Sequence, residues 1–171
     1  MSQLPDLKNK RVLLIGGAGF IGHNLALTLS HHGANVTVLD NLMVNNVVDY
    51  SYKNQDDDKK TKINHYFLTS RLNLLKQNKV NLVNGDARNS DDLRRVLELC
   101  SPFKIVHLAS IASAVDAKHN PGLMFDLQLV SLRNILELMR SKSFNNIEQI
   151  MLLSSSTVYG DFEEDVVNES V

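Results

Sequence analysis

The sequence has a single cysteine in 171 residues and a formal net charge of only −1, and each scarcity excludes something. Cys100 has no partner for an internal disulfide, so packing has to hold the fold, and a reducing, cytoplasmic setting is expected. A lone thiol after the apolar face VLEL reads as a packed residue rather than a nucleophile. So small a net charge leaves no electrostatic case for nucleic acid or an anionic membrane surface as partner. Every apolar run is broken well short of the roughly 18 residues that would span a bilayer. Residues 1–11, MSQLPDLKNKR, lack the apolar stretch of a secretion signal. The acidic run QDDDKK at 55–60 offers adjacent acids without other ligands, so it reads as a solvated stretch and no metal site is expected. What remains is 43% hydrophobic and 22% charged, which is enough apolar residue for one domain with a real core.

The chain is organised around residues 12–25, VLLIGGAGFIGHNL. Residues 12–15 read as a short buried strand. Gly16, Gly19 and Gly22 follow at matched spacing, and an apolar pattern of helical period begins with Phe20, Ile21, Leu25 and Leu29. Strand, glycine turn and helix in this order form a phosphate-cradling corner. Gly16 lets the chain turn off the strand, Gly19 leaves a pyrophosphate room at the backbone, and Gly22 is expected to let the helix lie close to the sheet. The first N–H groups of the helix lack internal partners and face the anion. A second strand, residues 34–39, ends at Asp40, 18 residues beyond Gly22. A carboxylate there accepts from both hydroxyls of an adenosine ribose and repels a 2′-phosphate. With no Arg or Lys beside it in sequence, NAD is favoured over NADP.

Further along, the first helix is expected over 20–31, with Gly33 stopping it. Residues 41–79 make a long connection for this position, containing a solvated, flexible part and an amphipathic helix built on Leu68, Leu72 and Leu75. Strands are expected at 80–83, 104–108 and 150–153. A helix after the third strand has Ser90, Asp91 and Asp92 supplying acceptors and charge at its start, with Leu93, Val96 and Leu97 as its buried stripe. A longer helix opens at Pro121 and runs to about residue 140. The fold class is α/β, a Rossmann-type doubly wound parallel sheet of about five strands in the order 3-2-1-4-5, with the dinucleotide across the carboxyl ends where the order reverses.

The glycine spacing of GGAGFIG, with the later LDNL, resembles the extended short-chain dehydrogenase/reductase family, the NAD-dependent epimerases and dehydratases of nucleotide sugars. Ile15 stands where that family usually has Thr. The turn GDAR at 85–88 resembles the family's adenine-side turn, which implies that Asp86 accepts from the adenine amino group with Ala87 beside it. His107-Leu108-Ala109 resembles the H-x-A motif under the nicotinamide-side ribose and phosphates, where Ala109, Ser110 and Ala112 are small enough for close approach. QLVSLRNILE resembles N-x-x-G-x-x-N-x-x-E, with Gln128 in place of Asn and Ser131 in place of Gly. Ser131 is expected to hold the helix slightly farther from its neighbour. SSSTVYG at 154–160 resembles the strand end that presents a Ser or Thr four residues before the Tyr of V-Y-G, which implies Ser155 as a catalytic donor to the sugar oxygen. The resemblance therefore implies cofactor contacts at Gly16, Gly19, Phe20, Ile21, Gly22, Asp40, Asn41, Asp86, Ala87, Leu108, Ala109, Ser110, Gln128, Leu153 and Ser154.

The family's Tyr-x-x-x-Lys helix has no counterpart among Tyr50, Tyr52, Tyr66 and Tyr159, none of which has Lys four residues on. The expectation is thus an NAD-binding domain over 1–171 with the sugar-binding lobe absent, the cofactor half of a UDP-glucose or UDP-glucuronate 4-epimerase working by transient oxidation at C4. A nucleotide sugar is the substrate and a homodimer the assembly, and the chain alone is expected to be inactive. The alternatives are a stand-alone, non-catalytic dinucleotide-binding module, or an NAD(P)-dependent sugar-nucleotide reductase or dehydratase. Ser156-Thr157, where the dehydratases carry Asp-Glu, disfavours dehydration. Without later strands the fifth strand would be a bare apolar edge, expected to pair with another chain or lie under the tail.

Overall fold

The computed structural model describes residues 7–43, 59–111 and 118–155, together with 158 and 160. The described part is a five-stranded, all-parallel sheet in the order β3-β2-β1-β4-β5, as the sequence predicts. Its elements run β1 (Arg11–Ile15), α1 (Phe20–His31), β2 (Asn35–Asp40), α2 (Lys59–Gln77), β3 (Asn81–Asn84), α3 (Ser90–Cys100) and β4 (Lys104–His107). A helix in three parts follows: α4 (Pro121–Phe125), a π-helical turn (Asp126–Val130) and α5 (Ser131–Met139). A short 3-10 turn (Lys142–Phe144) then leads into β5 (Gln149–Leu152). Strand ends shift by a residue from expectation, and α1 begins and ends where its pattern places it.

Alternation along β1 builds the two halves of the core. Leu13 and Ile15 point to one face, where they pack with Leu93, Val96 and Leu97 of α3 and Ile135 and Leu138 of α5. Val12 and Leu14 point to the other, against Ala26 of α1 and Leu75 of α2. A parallel sheet covered on both faces needs this continuous apolar run in its central strand. The amphipathic reading of α2 holds, since Leu75 is fully buried and Leu68 nearly so, with Leu72 packed on the same cluster. The acidic run at 55–58 lies outside the described residues.

Three local expectations need correction. Phe20 and Ile21 do not belong to the buried face of α1; they are 72% and 54% exposed, and Gly22, His23 and Ala26 are buried instead. The helix presents its first turn to the open end of the sheet, so apolar residues there line the rim rather than the core. Gly22 does not meet the sheet: a Cβ on it would lie 2.5–2.7 Å from the backbone of Gly17. Gly17 is the residue pressed onto the strands, with its own Cβ position 2.8 Å from Leu14 Cβ and 2.9 Å from Val38 Cγ2. The cap of α3 is Asn89, whose side chain accepts from the N–H groups of Asp91 and Asp92, a position the run of acids after it concealed. At the sheet's far side, Met151 and Leu152 of β5 and the following Leu153 are half exposed. The tail that was expected as a cover, 161–171, lies outside the described residues.

Candidate functional site

Because every strand points the same way, every strand's following loop emerges at one edge. Ile15 is level with Leu39 and with His107, Asp40 with Asn84, and His107 with Leu152. Gly16–Gly19, Asp40–Asn41, Gly85–Arg88, Leu108–Ser110 and Leu153–Ser155 are therefore neighbours along one rim. The connections leave β1 toward opposite sides of the sheet, opening a crevice between the loops after β1 and β4.

The glycine turn sits at that opening. Gly16 has φ +76°, a left-handed conformation that disfavours side chains, and a Cβ there would lie 2.7 Å from the N of Ala109. The first glycine is thus demanded twice, by its own turn and by the close passage of the chain leaving β4. Gly19 differs: the nearest atom to its Cβ position is the Gly16 carbonyl oxygen at 3.5 Å, so the space it leaves is open. It precedes the first turn of α1 with an extended backbone and no side-chain cap, and no acidic residue occupies that turn. Helix-start N–H groups beside an open cradle of this kind fit a phosphate group.

Asp40 spans the turn and the end of β2. Its Oδ2 accepts from the N–H of Ala18 at 2.9 Å and its Oδ1 from the N–H of Leu42 at 2.8 Å. Leu42 is held at φ 56°, an unusual conformation for this residue type. Burial pushes the Asp40 carboxyl above its ordinary range, and the two backbone donors partly oppose this. Each carboxylate oxygen retains a lone pair beyond these bonds. The role of Ala18, as donor from the glycine turn to the acid, is invisible in a spacing argument.

Asp86 stands beside Asn41, whose Nδ2 donates to its Oδ2 at 3.2 Å. It is also gripped by Arg88, with Nη2 2.6 Å from Oδ2 and Nε 3.0 Å from Oδ1. Hydrogen bonding from Arg88 holds the Asp86 carboxyl at about 2, against the cost of its partial burial. Asp92 accepts from the Asp86 N–H at 3.0 Å, and Asn134 of α5 donates to the carbonyls of Ala87 and Arg88 at 3.2 and 2.8 Å. The sequence reading missed the Arg88 clamp; the short spacing of Asp86 and Arg88 was the available signal.

At the β4 side, His107 is buried, and burial lowers its pKa, so it stands as a neutral ring facing inward. Its Nε2 lies 2.6 Å from Ser131 Oγ. Ser131 therefore does not simply hold the helix away from its neighbour; its hydroxyl joins helix to strand. Gln128, one turn earlier, donates from Nε2 to Ser110 Oγ at 2.7 Å. Leu153 continues the ladder beyond β5 through its N–H to the His107 carbonyl, and Ser154 and Ser155 follow, exposed on the same rim. Ala112, Ser156, Thr157 and Tyr159 lie outside the described residues. Cys100 sits far from the rim at the end of α3, its thiol pushed up to about 11 by burial. Among the described residues no group of His, Cys, Asp and Glu could hold a metal ion, and no helix is long and apolar enough to cross a membrane.

Comparison with known proteins places this geometry among relatives. A family profile described as GDP-mannose 4,6 dehydratase matches residues 13–171. The chain is 29% identical over 160 residues to CDP-paratose 2-epimerase of Salmonella typhi, covering 94% of this chain and 41% of that protein. It is 32% identical over 149 residues to UDP-glucuronate 4-epimerase 2 of Arabidopsis thaliana, covering 87% of this chain and 30% of that one. Among solved structures, UDP-glucose 4-epimerase of Thermus thermophilus, in complex with NAD, superimposes with a TM-score of 0.65 at 26% identity, over 94% of this chain and 43% of that chain. The chain thus spans between 30% and 43% of the length of these relatives.

Proposed function

The chain belongs to the family described as GDP-mannose 4,6 dehydratase, and from that premise we propose that it is the NAD-binding half of a nucleotide-sugar 4-epimerase. The observation that carries this reading is the pairing of an open cradle at Gly19 with a half-buried acid, Asp40, bonded to the same turn. The turn N–H groups hold the pyrophosphate, the free lone pairs of Asp40 take the adenosine ribose hydroxyls, and Asp86 takes the adenine amino group on the side away from Arg88. The exposed Phe20 and Ile21 then cover the cofactor at the rim. A bound nicotinamide supplies reversible hydride acceptance at sugar C4. Ser155, at the end of β5, donates a hydrogen bond to the C4 oxygen and orients the sugar.

The UDP-sugar substrate is supported by relatives that act on UDP-glucose and UDP-glucuronate. Ser156-Thr157, where the dehydratases carry an acid pair, favours epimerisation over loss of water. The general acid/base and most of the sugar pocket belong to a second half, packed on the outer edge of β5, where Met151, Leu152 and Leu153 present apolar surface. On this reading residues 1–171 are inactive alone, and the whole protein acts as a homodimer.

Calorimetry on the folded chain tests the cofactor reading. Titration with NAD and NADH to millimolar concentration gives a saturable heat; its absence refutes the assignment. An extended coding sequence carrying Tyr-x-x-x-Lys soon after residue 171 supports the enzyme, whereas NAD binding without turnover in the longest natural product supports a non-catalytic dinucleotide-binding module.

A further inference from the structure

The long helix changes winding beside the candidate cofactor site. Between α4 and α5 it makes a π-helical turn, Asp126–Val130, and Ser131 comes directly after it. Such turns inside α-helices are uncommon and concentrate at functional sites. The N–H of Ser131 is shared between the carbonyl of Asp126, five residues back, and that of Gln128, and does not reach that of Leu127. The Leu127 carbonyl, which an α-turn would join to that N–H, receives the Ser131 hydroxyl. With its one proton committed to a carbonyl, the hydroxyl can meet His107 Nε2 only as acceptor, which places the imidazole proton on Nε2. Ser131 and His107 are both almost wholly buried, so each bond satisfies a group that water does not reach.

The same stretch makes a second bond to the loop after β4. Gln128 donates to Ser110, as Ser131 accepts from His107. The helix is thus pinned to the end of β4 at two points, one buried and one at the rim. The rim point lies across the crevice from Asp40. If Asp40 takes the adenosine and the glycine turn takes the phosphates, the remaining nucleoside must lie over β4 and β5, against Gln128 and Ser110.

We propose that Ser131 is a positioning residue for the nicotinamide half of the cofactor: its hydroxyl, backed by His107, maintains the π-turn that keeps Gln128 on Ser110. This rests on the NAD reading above.

The test compares NAD with ADP, which carries the adenosine and both phosphates but not the nicotinamide riboside. Binding to the full chain is measured by calorimetry for the wild type, S131A, S131T, Q128A and the S131A/Q128A double variant. S131A and Q128A each weaken NAD about fivefold to tenfold, the scale of one lost hydrogen bond, and leave ADP within about twofold. The double variant is no worse than either single one, because both remove the same contact. S131T, which keeps the hydroxyl, restores wild-type selectivity. Nitrogen-15 NMR of the wild type shows His107 protonated on Nε2, and S131A changes that ring signal. If S131A does not fold, S131G takes its place, leaving room for water at the two stranded partners. An unchanged ratio of NAD to ADP affinity in the folded Ser131 variant, or equal weakening of both ligands, overturns the positioning role. A His107 proton on Nδ1 overturns it as well. A wild-type chain that binds neither ligand overturns the NAD reading instead.

Discussion

The glycine turn contains two positions at which the same added methyl group should have opposite consequences. Gly19 has φ −68° and ψ −179°, extended backbone that alanine adopts freely, and its Cβ would meet nothing nearer than 3.5 Å. Gly19→Ala therefore leaves the folded chain unstrained. Restricting the unfolded chain stabilises by about 0.4–1 kcal/mol, and the lower rank of alanine at the N-cap of α1 offsets a similar amount, so Tm should move by no more than roughly 4 °C. The methyl group nevertheless occupies the space assigned to the pyrophosphate. Displacing it from even one backbone N–H costs about 1.5–3 kcal/mol for a charged acceptor, or a loss of about 10-fold to 150-fold in NAD affinity. Gly22→Ala should do the reverse. Its Cβ would stand 2.5–2.7 Å from three backbone atoms of Gly17, which cannot swing aside as a side-chain tip would. Overpacking of this kind costs about 1–3 kcal/mol, and Tm should fall by roughly 2–12 °C. The assays are thermal denaturation followed by circular dichroism and NAD titration by calorimetry, on both variants. A Gly19→Ala chain that binds NAD as the wild type does would refute the phosphate cradle. One that unfolds would refute the open space inferred beside that residue.

The two acids at the rim should respond to pH with opposite signs. Asp86 is held at about 2, below its ordinary 3.8, so its stabilisation is present above the ordinary value and is lost as pH falls toward 2. Asp86→Asn should cost about 1 kcal/mol at neutral pH, after allowance for solvent screening of a pair more than a quarter exposed, and denaturant midpoints should converge with the wild type only as pH falls from 3.8 toward about 2. Asp40 is raised, so its contribution to folding is fully present below the ordinary carboxyl value and is lost as pH rises through the folded value. NAD affinity, which uses the ionised form, should drop on acidification from above the ordinary carboxylate range, and Asp40→Asn should bind weakly with that pH dependence gone. Replacing the α3 cap by Asn89→Ala should destabilise by about 1 kcal/mol without altering NAD affinity, read from a shift in urea midpoint at constant slope.

Much of this molecule is legible before any coordinates. The run from Val12 to Ile15, the glycines after it and the stop at Gly33 are local signals. Apolar period and φ preference depend on few neighbours, so β1, α1 and the sheet order follow from the chain itself. The convergence of Asp40, Asp86, Ser110 and Ser155 at one rim also follows, because parallel strands joined by right-handed crossovers admit no other edge for their loops. Folding alone decided which atoms meet. Nothing in the spacing of residues 16–22 tells that Gly22 packs on Gly17 or that Gly16 lies under Ala109. Phe20 and Ile21 open the apolar period of α1, and sequence patterning cannot tell a buried first turn from one facing an open rim. Ser131 reads as an imperfect glycine until the buried His107 of a distant strand gives its hydroxyl a partner and the helix a different winding. Short-range conformational preferences are written residue by residue, whereas a close approach or a buried hydrogen bond is a property of two segments, and only the packed structure brings them together.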